Sequence, residues 1–372
     1  MIEFNQTLYA FDFFVKLNFI RLHNFRNVEL ADVGLDSDSV WIHGRNGQGK
    51  TNLLEAVGML NAMRSFRNAS ADALVRRGFK SAGILAQASL SDSSSWQVEL
   101  VVGEGRAAFV DGQKISKLSE FIGRFPVLAI TNEDLRLLRG APEARRRDMD
   151  MFISSLDADY FECLRLYYRA LSHRNALLKD GLCESSLLES FEISMACNAE
   201  KILSKRKSFF EELGERATQK YAVLAGASAE TAQISLKPNC DAADKDSFLE
   251  MLKSQRRSDI ERRSTQRGIH RDDFKVLIGG AEAKIYASEG QQKSAVIALK
   301  LAQFETAKEH LREEPVMLFD DVLGELDAER RERFWSCTSE SAQILATSTE
   351  PPPQGGARNW KSITATSGEF IQ

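Results

Sequence analysis

Eight consecutive residues, Gly44-Arg45-Asn46-Gly47-Gln48-Gly49-Lys50-Thr51, spell GxxxxGKT, and Asn52 continues the run. A loop of this kind suits one chemistry. Glycines let backbone N–H groups turn inward around a polyphosphate, and the N-terminus of the following helix adds partial positive charge. In that frame Lys50 reaches the β- and γ-phosphates and the Thr51 hydroxyl ligates Mg²⁺. The flanks fit: the apolar run Val40-Trp41-Ile42 precedes the loop, and Leu53, Ala56, Val57 and Leu60 follow at helical spacing. Strand, glycine loop and amphipathic helix in that order predict a site for ATP or GTP.

The second half of the chain supplies partners for such a loop. Val316-Met317-Leu318-Phe319-Asp320-Asp321 is an apolar strand ending in two carboxylates. Asp320 is placed to hold Mg²⁺ and Asp321 to polarise an attacking water. Upstream, Ser288-Glu289-Gly290-Gln291-Gln292 opens a helix in which Ala295, Ala298, Leu299 and Ala302 form one face. A hydroxyl and a glycine at a helix start suit a second anion contact. Leu323-Gly324-Glu325-Leu326-Asp327 resembles the D-loop of ATP-binding cassettes. Lys50 and Asp320 lie too far apart for a compact GTPase or AAA module, and no NKxD guanine-reading motif is present. After Gln343-Ile344-Leu345-Ala346 comes Thr347, where transporter cassettes carry a switch histidine, which argues against a transporter subunit.

The elements that must position these residues follow from composition and periodicity. The 372 residues exceed one typical domain, and 43% hydrophobic with 27% charged residues describes a globular chain. No apolar stretch is long enough to span a bilayer, and no secretory signal is visible, so a cytoplasmic location is expected. Five cysteines without a CxxC pair read as reduced thiols. The net charge of −4 exerts no general pull on nucleic acid, so any such contact needs local basic patches. Strands are predicted at Leu17–Leu22, across Ala82 to Val110 with a turn at Asp111-Gly112, and at Phe125–Ile130. Phe161, Leu164, Tyr168 and Leu171 predict one helix, stopped by Gly181. Leu188, Met195, Ile202 and Phe209 recur every seven residues on a second, from about Glu184 to Val223. Asn198, Lys205 and Glu212 break the heptad that an extended coiled coil needs, so a packed helical insertion is expected. Residues 224–262 carry little pattern.

At this point the sequence resembles the RecF family of bacterial recombination mediators, relatives of the SMC-type cassette ATPases. The residues that carry the resemblance run in family order over 17 to about 350. They include Asn24-Phe25-Arg26-Asn27, the loop from Gly47 to Ala56, Arg64-Ser65-Phe66-Arg67, Asn132-Glu133-Asp134-Leu135 and Arg145-Arg146-Arg147. Further on come Arg174 to Lys179, His270-Arg271-Asp272-Asp273, Gly290 to Lys293 and Asp320 to Leu323. The resemblance implies an α/β fold: an ABC-type (SMC/RecF-like) P-loop ATPase head with a helical insertion lobe. Residues 1–150 would form the N-terminal part of the head, 151–267 the insertion, and 268–372 the part with signature, Walker B and D-loop. It further implies an ATP-dependent homodimer, with Mg²⁺, that binds double-stranded DNA and single-strand/double-strand junctions and hydrolyses ATP slowly. With RecO and RecR it would help load RecA.

Residue by residue, the resemblance puts Asn24 and Arg26 near the nucleotide, together with Gly44 to Asn52, and adds Ser288, Gly290 and Gln291 from the signature. Lys50 and Asp321 are the expected catalytic residues, and Thr51 and Asp320 the expected metal ligands. Arg64, Arg67, Arg76, Arg77, Arg145 and Arg146 are the candidate DNA contacts, with Lys80 and Arg256, Arg257, Arg262 and Arg263 as further basic positions. Binding through them would be dominated by phosphate and independent of sequence. Departures stand beside the match. Residues 1–14 precede the usual family start, and Asn132 stands where the family has proline. Glu289 puts an acid inside the signature, and the C-terminal tail, with Pro351-Pro352-Pro353 and Gly355-Gly356, reads as a loose extension.

Overall fold

The computed structural model describes residues 14–90, 94–181, 184–226, 230–240, 242, 244–353 and 358–372. Most of residues 1–14, Cys183 and Gly355-Gly356, on which the sequence raised expectations, lie outside them. By contact the chain divides into two units, one of residues up to Ala129 with Ala307–Asp321 and Glu340–Gln372, the other of Ile130–Thr306 with Val322–Ser339.

The first unit is built on two sheets. An antiparallel sheet uses β1 (Phe14–Phe25), β2 (Val28–Gly34), β4 (Ser81–Leu90), β5 (Ser95–Gly103), β6 (Ala107–Val110) and β7 (Gln113–Lys114), in the order β2-β1-β4-β5-β6-β7. Alternation in Trp96–Leu100 matches its burial pattern, apolar in and polar out. The second sheet has the order β15-β14-β3-β13-β12-β8. It comprises β3 (Ser39–His43), β8 (Val127–Thr131), β12 (Val316–Asp320), β13 (Ile344–Ser348), β14 (Lys361–Thr366) and β15 (Glu369–Ile371). Strands β14, β3, β13 and β12 run parallel. The near-continuous burial of β3, β12 and β13 explains why Val316–Asp320 reads as an unbroken apolar run. Helix α1 (Lys50–Ala62) buries Leu53, Leu54, Ala56, Val57, Met59 and Leu60 in the core shared by both sheets, at roughly 1–3 kcal/mol for each large side chain. A four-residue helix α2 (Ala71–Leu74) follows. The C-terminal segment is no loose extension. β14 pairs with β3 along Lys361–Thr364, because its alternate residues Ile363 and Ala365 have a core to enter.

The second unit is mainly helical: α3 (Pro142–Leu156), α4 (Ala158–Asp180), α5 (Ser185–Ala225), α6 (Lys245–Arg262), α7 (Ala283–Tyr286), α8 (Glu289–Leu311) and α9 (Ala328–Ser336). A small antiparallel sheet, β11-β10-β9, joins β9 (Ala232–Lys237), β10 (Asp273–Ile278) and β11 (Ala281–Glu282). Pro142 starts α3, Asp157 caps α4 by accepting from the Tyr160 N–H at 2.8 Å, and Gly181 ends it in the left-handed region. Asp244 and Ser247 form a capping box on α6, the signal that residues 224–262 did carry.

The 41-residue α5 buries Leu188, Met195, Ile202 and Phe209 as its spacing predicts. Its second buried row is Glu192, Ala199, Arg206 and Leu213, not the Asn198 row, so charge lies inside the stripe. On α4 Phe161 and Leu171 are buried as predicted and Tyr168 is exposed; the buried face runs through Cys163, Tyr167, Ala170, Arg174 and Leu178. Arg174 donates to Glu192, Asp259 and Thr265 at 2.7–3.2 Å. Arg206 donates to Asp150, Asp272, Tyr160 and the Ile269 carbonyl at 2.6–2.9 Å. Both guanidinium groups are fully buried.

Candidate nucleotide site

Geometry at the phosphate loop comes from the backbone first. Gly44 has φ 146°, and a Cβ there would stand 2.4 Å from the Ala365 carbonyl oxygen, so β14 closes on the loop where only glycine fits. Gly49, at φ 108°, is the N-cap of α1 and leads directly into Lys50. The Lys50 ammonium, 4% exposed as a residue, reaches back to the Gly44 carbonyl at 2.8 Å and the Arg45 carbonyl at 3.2 Å. Gln48 is fixed by the β14–β15 turn: its carbonyl accepts from the Gly368 N–H at 2.9 Å and its side-chain oxygen from the Ser367 N–H at 2.5 Å.

Strand β12 brings Asp320 to the same loop. Its Oδ1 accepts from the Thr51 hydroxyl at 2.9 Å and from the Thr347 hydroxyl at 2.8 Å. Burial pushes the Asp320 carboxyl up, and the two hydroxyl bonds pull it back. Thr347 also accepts from the Asp321 N–H at 3.0 Å. It thus holds the Asp320 carboxylate and the Asp321 backbone together, a part the sequence reading missed although the hydroxyl ends an apolar strand. Asp321 has φ 53°, a left-handed backbone costing about 1–2 kcal/mol, of the sort that functional carboxylates tolerate. Among the described residues no group of three or more His, Cys, Asp or Glu side chains could hold a metal alone. A cation here would take Thr51 and Asp320, with phosphate and water completing its shell, which suits the hard oxygen donors that Mg²⁺ prefers.

Asn24 and Arg26 are held by neighbouring side chains. Asn24 is 5% exposed, with its side-chain nitrogen 3.2 Å from His23 Nε2. Arg26 grips Glu55 of α1 with two bonds of 2.7–2.8 Å and donates to the Ala73 carbonyl at 2.9 Å. Glu55, fully buried, also accepts from Ser65 and pairs with Arg67 at 3.5 Å. Asn27 comes closer to the loop, accepting from the Asn52 amide at 2.6 Å. The segment therefore braces the phosphate-loop helix.

The signature lies in the helical unit. Ser288 and Gln291 cap each other: the Ser288 N–H donates to the Gln291 side chain at 2.7 Å, and the Gln291 N–H to the Ser288 hydroxyl at 3.3 Å. Glu289 turns to Lys293 at 3.1 Å and Arg139 at 3.7 Å, and the Lys293 bond holds its carboxyl below the usual range. Lys293 also pairs with Glu325 of the D-loop at 2.8 Å, and Asn132 donates to Glu325 at 3.3 Å. These side chains rim a cavity of about 360 Å³ with their charges mutually paired. Asp327 caps α9, accepting from the Arg330 N–H at 2.8 Å.

Two candidate DNA residues are engaged by partners within the fold. Arg145, 5% exposed, makes a bidentate pair with Asp273 at 2.8–2.9 Å and donates to the carbonyls of Leu137, Leu138 and Gly140. Arg146 donates to the Asp272 carbonyl and to Glu143 at 3.0–3.1 Å. Neither can meet a phosphate without breaking these bonds. Arg256 is likewise held by Glu192 at 2.6 Å. Arg64, Arg67 and Arg77 are exposed, whereas Arg76 pairs with Glu29 at 2.9 Å and lies over the Phe79 ring. No helix among the described residues is long and apolar enough to cross a membrane.

Comparison with known proteins finds relatives along nearly the whole chain. The family described as RecF/RecN/SMC N terminal domain matches residues 16–371. The DNA replication and repair protein RecF of Myxococcus xanthus is 33% identical over 348 residues, covering 90% of this chain and 91% of the relative. RecF of Leptospira interrogans serovar Lai is 36% identical over 342 residues, covering 90% and 92%. Among solved structures, the recombination mediator protein RecF-ATP in the RecFOR pathway superposes with a TM-score of 0.86 at 29% identity, over 97% of this chain and 98% of that one. A Pyrococcus furiosus Smc head matches in fold alone, at a TM-score of 0.51 and 14% identity over 96% and 95%.

Proposed function

This chain belongs to the RecF family, and we propose on that premise that it is an ATP-hydrolysing DNA repair protein that dimerises on ATP. One observation carries the reading: Thr51 of the GKT loop and Asp320 at the end of β12 share a hydrogen bond of 2.9 Å, with Lys50 buried beside them in the loop. That is the arrangement a Mg²⁺-nucleotide site requires, and relatives solved with ATP supply its ligand. Mg²⁺, when bound, neutralises phosphate charge. Lys50 binds the β- and γ-phosphates, and Asp321 orients the attacking water and accepts its proton.

By the cassette resemblance, Ser288 and Gly290 of one chain face the γ-phosphate held by Lys50 of a second chain. The γ-phosphate is then the adhesive between protomers, so association requires ATP and fades with ADP. Duplex DNA and single-strand/double-strand junctions are the proposed nucleic-acid ligands, with Arg64, Arg67 and Arg77 the exposed candidates to touch them. Cooperation with RecO and RecR in loading RecA rests on the family alone.

The test is ATP turnover and size-exclusion mass, with and without duplex DNA, for the wild type, Asp321→Asn and Ser288→Arg. Asp321→Asn is expected to keep ATP and DNA binding and lose hydrolysis. Ser288→Arg is expected to bind ATP as a monomer and neither dimerise nor hydrolyse. Mixed with Lys50→Ala, it should regain partial activity, because one composite site then has both Lys50 and Ser288 intact. A wild type that hydrolyses ATP as a monomer would end the shared-site reading.

A further inference from the structure

The signature glycine has a cation against it. A Cβ built on Gly290 would stand 2.8 Å from one terminal nitrogen of Arg330 and 3.2 Å from the other, so the Arg330 guanidinium lies where a side chain at position 290 would be. Arg330 comes from the first turn of α9, just after the D-loop. Asp327 steadies it twice, taking the Arg330 N–H at 2.8 Å and pairing with the guanidinium at 3.3 Å. The side chain remains 37% exposed, so this is a surface cation and not a core brace such as Arg206.

The surrounding charges sharpen the contrast. Glu289, the acid inside the signature, is turned onto Lys293 and Arg139. Lys293 is shared with Glu325. The Glu289 carboxylate is thus neutralised within its own cluster, and the Glu230 carboxylate is engaged by the Gln291 side-chain amide at 2.5 Å. Arg330, held by one exposed carboxylate, lies against the residue that a γ-phosphate would approach.

We propose that Arg330 is a catalytic cation delivered in trans, contacting the γ-phosphate held by the phosphate loop of a second copy of this chain. The proposal rests on the shared-site reading above and adds a residue to it. A guanidinium presents parallel N–H donors that match phosphate oxygens, which Ser288 and a glycine cannot supply. In the step it serves, the water oxygen bonds to the γ-phosphorus as the bond to the β,γ-bridging oxygen breaks. That electron pair leaves on ADP, the water proton passes to Asp321, and inorganic phosphate is released. Negative charge spread over the equatorial γ-oxygens in the transition state is what Arg330 stabilises. Glycine at 290 is then required because any side chain would displace the guanidinium.

Arg330→Ala and Arg330→Lys test this in the full-length chain. Arg330→Ala should bind ATP and form the ATP-dependent dimer. Its turnover should fall by on the order of 10³-fold, as removal of an arginine finger does. It should also fail to trap a dimer with ADP and aluminium fluoride, a readout that a merely structural role would not move. Arg330→Lys should trap the dimer weakly. Mixing Arg330→Ala with Lys50→Ala should restore one intact composite site and part of the activity. Turnover of Arg330→Ala within about threefold of wild type would overturn the proposal, as would a loss of dimerisation alike in both variants. The Ser288→Arg plus Lys50→Ala mixture separates the two readings. If that control recovers and the Arg330 mixture does not, the trans role of Arg330 is wrong and the shared site stands. If the control itself fails, the shared site goes and Arg330 with it.

Discussion

The phosphate loop and the core of the helical unit bury charge on opposite terms. At the phosphate loop, Lys50 bonds to two carbonyls and Asp320 to two hydroxyls. In the helical unit each buried guanidinium faces carboxylates: Arg174 has Glu192 and Asp259, and Arg206 has Asp150 and Asp272. Neutral partners leave a charge available to a ligand, whereas ionic partners cancel it within the fold. The comparison teaches which buried charges to read as chemistry and which as architecture.

The largest effect that could break this contrast is on Arg206. Arg206→Met leaves Asp150 and Asp272 without their cation and should destabilise the helical unit by about 3–5 kcal/mol. Urea unfolding, followed by hydrogen exchange on α5, measures it. Lys50→Met in the same assay should change stability far less, because the bonds it gives up are to carbonyls. Equal losses in the two variants would erase the distinction.

Lys50→Ala comes next, on the ligand side. Removing a charged donor from the phosphates forfeits roughly 2–3 kcal/mol, so ATP affinity should fall on the order of 100-fold or more. Nucleotide titration by calorimetry reads it directly. An unchanged affinity would mean that the loop does not hold the polyphosphate.

The same contrast decides what was legible in the sequence. The phosphate loop is a local device, eight adjacent residues whose glycines and flanks carry the whole signal. Asp320 announces itself by ending an apolar strand. The ionic core of the helical unit joins residues far apart in the chain, as Arg174 meets Asp259 and Arg206 meets Asp272. No spacing rule foretells such pairs. Arg174 and His270-Arg271-Asp272-Asp273 carried the family resemblance without a physical role, and the structure supplies one: Asp272 and Asp273 anchor Arg206 and Arg145. The heptad count on α5 found the apolar row and missed its partner row, because Glu192 and Arg206 look solvent-exposed by type. Arg145 and Arg146 likewise find their partners far along the chain, at Asp273 and the Asp272 carbonyl. The β14–β15 hairpin was missed because its role is to close on Gly44 and Gln48, which lie more than 300 residues away.

A smaller effect probes a half-buried base in the helical unit. His270 is held by the Tyr167 hydroxyl at 2.9 Å and lies 3.2 Å from the Thr265 carbonyl. Burial, with Arg271, Arg146 and Arg174 nearby, pushes its pKa from 6.5 to about 4. The folded state therefore keeps the ring neutral where the unfolded chain would protonate it. Stability contributed in this way is intact above pH 6.5 and is lost as pH falls toward 4, by about 1–3 kcal/mol. His270→Gln should flatten that part of the pH–stability curve, as followed by urea unfolding between pH 4 and 7. An unaltered slope would assign the acid sensitivity to other groups.

The smallest effect separates two of the candidate DNA-contact arginines. Arg77 is exposed beside the phosphate-loop unit's short helix α2, whereas Arg145 is buried against Asp273. If duplex DNA is bound through phosphate contacts at the Arg64–Arg77 cluster, Arg77→Ala should weaken binding evenly across sequences, by about 1 kcal/mol or less. The log–log salt slope should also drop by about one. The fold should be unaffected, because an exposed guanidinium contributes little to stability. Arg145→Ala should do the reverse. It leaves Asp273 unpaired and lowers stability, and at a temperature where the chain stays folded its salt slope matches the wild type. Fluorescence anisotropy of a labelled duplex across a salt series, paired with urea unfolding, reads both quantities on the same samples. A reduced salt slope for Arg145→Ala with intact stability would return that residue to the DNA face and break the division between architectural and ligand-facing charge.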